Sequence, residues 1–243
     1  MNVYLNEITG IADGISTLFF SKKSWTRELE LDIRNTCFAV LDRCGRLLPR
    51  SDVSNEIMDK YERWMATMTK WGVSHITMLR FIDFSFTVEG LHRAGQDDWD
   101  SHAQRFNNRI IRTSTRETNG FEHEMSSYYE GKIIPLALIL DHLGIELPSV
   151  CEIDGNEWVK APNGYIIRGE ENNPDVRRGL YMESIPSNFI FKVNLTEFSH
   201  VFKERNKVSR AHPEVKEACE MMADQIQKFQ PAFTRDLLNN IKN

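Results

Sequence analysis

The segment from Phe84 to Gly90 constrains the fold most, because its apolar residues alternate with polar ones. Phe84, Phe86 and Val88 are apolar, and the two residues between them carry hydroxyl groups. This alternation is typical of a β-strand that buries one face, and a helix cannot place such residues on a single side. A sheet is therefore expected to form around this segment.

A cationic segment follows the predicted strand. From Ser101 to Arg116 the sequence holds four arginines and no acidic residue, although the formal net charge of the chain is -5. A local positive patch on an acidic protein favours a small anionic ligand over a long nucleic acid. The alternative is a solvated helix face whose arginines pair with Asp97, Asp98 and Asp100.

The composition is that of an ordinary globular protein. The chain has 243 residues, of which 41% are hydrophobic and 27% are charged, and it is long enough for one large domain or two small ones. Its longest strongly apolar run, from Ile133 to Leu140, is far shorter than the ~20 residues that span a bilayer. The N-terminus lacks the charged-then-apolar order of a signal peptide. A cytoplasmic protein without a membrane partner is therefore expected.

The spacing of cysteines and histidines argues against several common kinds of site. The four cysteines are scattered without a C-x-x-C pair, which predicts reduced thiols in the core rather than disulfides or structural zinc. His123 and Glu124 begin a zincin-like motif, but Ser127 stands where the second histidine is needed, so no metal is expected. The sequence contains no G-x-S-x-G, P-loop or G-x-G-x-x-G motif.

Helical spacing and capping residues predict most of the helices. A polar helix is expected from Gly90 to about Arg109, and a helix bent near Pro135 from Met125 to Leu143. The other predicted helices run from Arg27 to Cys44 before Gly45, from Ser54 or Asn55 to Trp71 before Gly72, from Asn173 to about Met182, from an Asn194 cap through Arg205, from His212 onward, and from Phe233 to Ile241.

Further strands are predicted near both ends of the chain. Val3 to Ile8 and Asn188 to Val193 have strand character, and His75 begins a loop that feeds the strand at Phe84. Turn residues between Val150 and Arg168, at Asp154-Gly155 and Asn163-Gly164, predict a hairpin. No linker or repeat divides the chain, so one α+β domain is expected.

Arg205 stands out because it lies in line with an apolar stripe. Phe198, Val201 and Phe202 precede it at helical spacing, which would carry the guanidinium toward the core. Burial of that charge requires an anionic partner. Snorkelling of the side chain past the stripe is the alternative.

Several segments resemble the flavin-dependent thymidylate synthases. Gly72 to Thr77 resembles that family's G-H-x-S-x-x-E-H loop, with Arg80 in the place of the glutamate, and Phe84 to Gly90 is similar to the strand that follows the loop. The segment from Pro174 to Asn194 aligns with the family without gaps. The resemblance covers about Trp64 to the C-terminus and implies one domain, 1–243, with a mixed or antiparallel sheet flanked by long helices and a divergent helical part at 1–60.

The family's signature motifs are altered in this chain. Thr196 replaces the arginine of V-N-x-R, whereas Asn194 keeps its asparagine. The R-H-R signature falls on Ser101-His102-Ala103 in one register and on Asn107-Asn108-Arg109 in another, and its S-x-R tail falls on residues 114–116. Neither register is intact.

The resemblance implies flavin- and folate-dependent C5 methylation of deoxyuridylate. It implies FAD as cofactor, methylenetetrahydrofolate and NADPH as co-substrates, a pyrimidine nucleotide as ligand, and a homo-oligomer, which is a tetramer in the family. It assigns no catalytic residue. The residues that it assigns to the nucleotide are Arg178, Arg205, Gln96, Arg112 and Arg116. Those that it assigns to the flavin and folate are His75, Thr77, His102, Arg109, Ser114, Asn194 and His200.

Two other functions stay open because the R-H-R signature is altered. One is a homologue that hydroxymethylates a pyrimidine nucleotide in a modified-base pathway, and the other is a non-catalytic nucleotide-binding paralogue. Individual residues also have plain alternatives. Arg178 could form a surface ion pair, Asn194 could only cap a helix, and His200 could be a polar neighbour of Thr196.

Overall fold

The strand predicted around Phe84 pairs with the first strand of the chain. The computed structural model describes residues 1–101, 109–112, 126–134, 136–161, 163–173, 176, 179–180, 183–207 and 212–241. Strand β1 is Asn2–Thr9 and strand β2 is Asp83–His92, and the two run antiparallel. A bulge between Leu5 and Glu7 in β1 shifts the register, so that Val3, Leu5 and Ile8 all face the core.

A four-stranded sheet and a three-stranded sheet form the β part of the described chain. The larger sheet has the order β1-β2-β7-β3, where β3 is Arg109–Arg112 and β7 is Pro186–Asn194. The smaller sheet consists of β4 (Val150–Ile153), β5 (Asn156–Ala161) and β6 (Gly164–Ile167), all antiparallel. The α+β class and the strands predicted at both ends of the chain are confirmed.

The predicted hairpin is present because its turn residues accept positive φ angles. Asp154 has φ 53° and Gly155 has φ 73°, a left-handed pair that matches the twist of the flanking strands β4 and β5. Aspartate and glycine are among the residues that adopt this conformation most readily. The turn chemistry read from the sequence therefore sets this connection.

Helices lie between these strands in the sequence and follow the last of them. Among the described residues they are α1 (Ile11–Ser21), α2 (Arg27–Val40), α3 (Asn55–Gly72), α4 (Arg93–Ser101), α5 (Leu136–His142), α6 (Leu195–Lys207), α7 (Pro213–Phe229) and α8 (Arg235–Asn240). No helix in the described ranges combines the length and the apolar character needed to cross a membrane.

Three predicted helix starts are confirmed, and a side chain caps each of them. Ser54 Oγ accepts from the Ile57 N–H at 3.4 Å at the start of α3. Asn194 Oδ1 accepts from the Glu197 N–H at 2.9 Å at the start of α6, and the His212 ring caps α7. Each cap satisfies a backbone donor that has no partner inside the helix.

The helix predicted to reach Cys44 ends four residues earlier, at Val40. Leu41 is extended and bridges to Leu47, while the Asp42 carboxylate accepts from the N–H groups of Cys44 and Arg46 at 2.8 and 2.9 Å. The aspartate turn competes with the helix for these backbone donors. Gly45, with φ 78°, belongs to this turn and is not a helix cap, so the predicted end was wrong.

Two further helix predictions were too long. The chain from Gly90 to His92 continues β2, where Leu91 and His92 are fully buried, and Arg109 lies in β3. Of the helix expected from Met125 to Leu143, the described residues contain α5, Leu136–His142. Turns precede α5 in the chain, and one of them contains Gly131 with φ 70°. Helical spacing was present, but burial of the strand end and the glycine conformation override it. Pro135 and most of the helix predicted from Asn173 lie outside the described residues.

The chain divides into two compact units. The first comprises Met1–Glu89, Asp97–Ile111 and Phe189–Asn243, and the second comprises Gly90–Gln96 and Arg112–Asn188. The unit boundary passes through α4 after Gln96.

An aromatic cluster forms the core of the first unit. Phe84 packs edge-on against Phe198 and Phe233, each at 6.0 Å between ring centroids, while Phe86 stacks with Phe191 and Phe198. All five rings are buried. Burial of each ring stabilises the fold by about 1.5–3 kcal/mol, and edge-to-face geometry adds to this. The alternating phenylalanines of β2 thus lie on the face of the sheet that packs against the core.

Candidate functional site

The second unit places a buried polar cluster at the junction of β2 and α4. The chain turns from strand to helix at Arg93, whose N–H donates to the Ile185 carbonyl at 3.0 Å, and the next N–H donates to the carbonyl of Glu183, also at 3.0 Å. The Gly95 N–H donates to His92 Nδ1 at 2.9 Å. These bonds satisfy the first donors of the helix and fix the junction against the segment before β7.

Gln96 and Arg112 come together at this junction. Gln96 is fully buried, and its Nε2 donates to the Leu91 carbonyl at 2.9 Å. Arg112, half-buried on β3, donates from Nη2 to the backbone carbonyl of Gln96 at 3.2 Å. The Gln96 Oε1 has no hydrogen-bond partner anywhere in the described chain. A buried acceptor without a donor is costly, which marks this atom as one that a ligand or water can satisfy.

Two further buried polar atoms in this unit lack partners. Arg93 Nη1 and Ser184 Oγ are both buried, and neither has a hydrogen-bond partner among the described residues. Sequence reasoning did not find these two residues, because no periodic pattern or motif distinguishes them. The only signal in the sequence was an arginine at the end of an apolar strand. That signal indicates a ligand contact only once the structure shows that the arginine atom is buried.

Arg205, in the first unit, has the anionic partner that its position required. It is buried on α6, and its Nη1 lies 3.1 Å from Asp98 Oδ1, while Nη2 donates to the Asp98 backbone carbonyl. The prediction that a buried Arg205 has an anionic partner is confirmed. Its assignment to a nucleotide stays a prediction, and this ion pair shows that the guanidinium already has an acidic partner within the chain.

Asn194 acts as the cap of α6. Its Oδ1 accepts from the Glu197 N–H and also from the Thr196 hydroxyl, at 2.6 Å. The side chains of these residues are buried together, whereas His200, one turn later on the same helix, is half-buried. The structure therefore gives Asn194 a capping role, and the roles of Asn194 and His200 toward a flavin stay predictions.

His75 and Thr77 lie at the surface of the first unit. The His75 ring stacks on Trp71 at 5.8 Å between centroids, and Lys22 Nζ lies 4.5 Å from the centroid of the Trp71 ring. His75, Thr77 and Trp71 are exposed. Stacked aromatic rings beside a cation are suited to a planar, negatively charged ligand.

The remaining predicted site residues cannot be located here. His102, Ser114, Arg116 and Arg178 lie outside the described residues, and only the backbone of Arg109 is described, in β3.

The cysteines form no disulfide and are free thiols. Cys37 and Cys219 are buried, while Cys44 and Cys151 are half-buried, so the prediction of core thiols holds for the first pair. Burial raises the pKa of the Cys37 thiol from 9.0 to about 12, and it also raises the pKa of Cys219. Thiols that stay protonated at neutral pH are poor nucleophiles.

Comparisons with known proteins find a match in structure but not in sequence. No protein-family profile and no curated protein sequence matches the chain. A crystal structure of thymidylate synthase X from Helicobacter pylori with FAD and dUMP matches with a TM-score of 0.56 at 12% identity, over 98% of this chain and 100% of that chain. A second crystal structure of the flavin-dependent enzyme from H. pylori, complexed with FAD and dUMP, matches with a TM-score of 0.51 at 12% identity, over 96% and 99%. The chain therefore has the fold of the flavin-dependent thymidylate synthases.

Proposed function

We propose that this protein binds a uracil deoxynucleotide and methylates its C5 position with the help of a flavin and a folate. Fold alone does not establish an activity, because one fold hosts many functions. The observation that carries the proposal is the buried Gln96 amide. Its Oε1 has no hydrogen-bond donor among the described residues, and Arg112 donates to the backbone carbonyl of the same residue. Two crystal structures of the H. pylori enzyme, which has the same fold, hold FAD and dUMP, and this supports the ligand class.

The chemistry of uracil suits this arrangement. Its N3–H is a donor that matches the unpaired Gln96 Oε1, and a site built around a specific hydrogen bond rejects analogues that lack it. Arg112 supplies a fixed positive charge for a carbonyl or phosphate oxygen, since a guanidinium stays protonated at any working pH. The pair therefore provides both recognition of the base and attraction of the anion.

The residues proposed for the cofactor are those of the first unit. The exposed Trp71–His75 stack and the Thr77 hydroxyl fit the edge or face of a flavin ring, whereas Asn194 Oδ1 is already used by the α6 cap. FAD would supply the hydride that reduces the transferred carbon. Methylenetetrahydrofolate and NADPH as co-substrates, the tetramer, the cytoplasmic location and a single functional domain over 1–243 belong to the same proposal.

Binding of dUMP by calorimetry tests the proposal directly. Replacement of Gln96 by Leu removes the unpaired acceptor, and we expect it to weaken dUMP binding by about tenfold or more. Gln227→Leu is the matched control, because Gln227 is exposed on α7. Equal dUMP affinity in both variants, or no retained flavin band in the visible spectrum after FAD is added and the protein desalted, would contradict the proposed function.

A second candidate is a nucleotide-binding protein without catalysis. It is favoured by the ion pair between Arg205 and Asp98. The resemblance assigns Arg205 to the nucleotide, but in the structure its guanidinium is paired with Asp98. The two candidates differ in turnover. A dUMP-binding protein that retains FAD but forms no methylated or hydroxymethylated product by mass spectrometry, with folate and NADPH present, would support the second.

A further inference from the structure

We propose that Arg93 binds a phosphate oxygen of the nucleotide, with the Ser184 hydroxyl as a second donor on the neighbouring segment. The inference deepens the proposed function, on which the identification of the anion as a nucleotide phosphate rests. It assigns a ligand contact to two residues that neither the sequence pattern nor the resemblance singled out.

The charge of Arg93 supplies the first argument. Its Nη1 atom is buried and has no hydrogen-bond partner in the part of the chain that the structure describes. A guanidinium nitrogen withdrawn from water without a partner is strongly unfavourable, and an anion is the most effective compensation. A hydrogen bond from a guanidinium to a phosphate oxygen is charge-assisted, and it is therefore stronger than a bond between neutral groups.

The position of Arg93 on α4 supplies the second argument. Arg93 and Gln96 are three residues apart on the helix, so their side chains lie on the same face. Both carry a buried side-chain atom without a partner, a donor on Arg93 and an acceptor on Gln96. One ligand that presents an oxygen anion and a hydrogen-bond donor satisfies both atoms, and a uracil nucleotide has this combination.

Ser184 lies on the segment that is bonded to the start of α4. The carbonyls of Glu183 and Ile185, on either side of it, accept from the first two N–H groups of the helix, and its own carbonyl accepts from the Ser126 N–H at 3.0 Å. Its backbone is therefore held in place while its buried Oγ has no partner among the described residues. A hydroxyl held in this way can donate to the same anion as Arg93.

The contact predicts a specific difference between two ligands. Deoxyuridine has the base and sugar of dUMP but lacks the phosphate. We expect Arg93→Gln to weaken dUMP binding by roughly tenfold or more while deoxyuridine binding stays unchanged. Arg63→Gln, which removes an exposed arginine of α3 in the first unit, is the control and should alter neither affinity. Ser184→Ala should show a smaller loss, confined to dUMP.

The outcomes separate this inference from the proposed function. Wild-type binding of dUMP with no loss in Arg93→Gln overturns the inference and leaves the proposed function standing. If the wild-type protein does not bind dUMP, the proposed function fails. The contact between Arg93 and an anion is then tested by measuring the binding of inorganic phosphate. Phosphate binding that is lost in Arg93→Gln supports the contact, and absent or unchanged phosphate binding overturns it.

Chemical labelling keeps the test valid if the variants do not fold. Phenylglyoxal modifies accessible arginines of the wild-type protein, and peptide mapping by mass spectrometry locates the modified positions. We expect dUMP, or inorganic phosphate if dUMP does not bind, to protect Arg93 while Arg63 continues to react. Equal modification of Arg93 with and without a ligand that binds would overturn the assignment.

Discussion

Arg205 and Asp98 form a buried ion pair between positions 107 residues apart in the chain, with Nη1 and Oδ1 separated by 3.1 Å. Arg205 arises from α6 and Asp98 from α4. The arginine side chain is only 4% exposed, whereas the aspartate is 33% exposed. The pair therefore neutralises a buried cation and joins α6 to the part of α4 that belongs to the first unit.

Loss of this pair should destabilise the protein more than loss of an exposed pair. We expect Asp98→Asn to lower the free energy of unfolding by about 3 kcal/mol, because it removes the Asp98 carboxylate from beside the buried Arg205 charge. The matched control is Asp224→Asn, which breaks an exposed pair with Arg235 and should cost less than ~1 kcal/mol. Urea unfolding of both variants measures the difference, and equal losses would contradict the structural role of the buried pair.

A second buried polar contact joins α3 to the end of α7. The Tyr61 hydroxyl donates to Gln230 Oε1 at 2.8 Å, and Gln230 Nε2 donates to the Gly45 carbonyl at 2.7 Å. Tyr61→Phe leaves the Gln230 acceptor unpaired and should lower the free energy of unfolding by about 1–3 kcal/mol. Tyr4→Phe, at an exposed position, is the control and should change it by at most ~0.5 kcal/mol. Similar unfolding midpoints for both variants would argue against this network.

Alkaline pH should destabilise the protein because a buried thiol and a buried phenol lose their protons. Burial raises the pKa of the Cys37 thiol from 9.0 to about 12, and burial also raises the pKa of Tyr61 well above 10.0. The unfolded chain releases these protons at lower pH than the folded chain, so the stability that they contribute is present below pH 9 and is lost as the pH rises toward 12.

Unfolding measured between pH 8 and about 11 checks this dependence, with each pH unit worth up to roughly 1.4 kcal/mol per group. Cys37→Ala should flatten the decline above pH 9, whereas Cys151→Ala, at a half-buried thiol, should leave it unchanged. A decline of the same slope in wild type and Cys37→Ala would show that the Cys37 thiol does not contribute.

The start of α1 should tolerate only glycine. Gly10 has φ 79°, and a Cβ at this position would overlap the carbonyl oxygen of Phe81. Gly144 has a similar φ of 64°, but no atom lies within 4 Å of its added Cβ. We expect Gly10→Ala to lower the melting temperature clearly more than Gly144→Ala, because only Gly10 adds a steric overlap to the shared backbone strain. Equal shifts of the two variants would exclude that overlap.

Local sequence rules accounted for much of the fold. The alternation of Phe84, Phe86 and Val88 predicted the central strand. Local signals at Ser54 or Asn55, at Asn194 and at His212 predicted three helix starts. Each of these rules depends on residues only a few positions apart. The ends of elements were predicted less well. The helix that ends at Val40 was extended to Cys44, since helical spacing continues there. The helix is ended by the Asp42 turn and by the bridge between Leu41 and Leu47.

The candidate site was likewise predicted from the sequence only in part. The sequence by itself determined that Arg205 lies on an apolar helix stripe and needs an anion, and the resemblance pointed to Gln96 and Arg112 as ligand residues. Only the tertiary structure decided that the anion is Asp98 and that Arg93 has a buried atom without a partner. Partners of buried polar groups come from distant parts of the chain, and desolvation, which makes an unpaired atom meaningful, exists only after those parts have packed together.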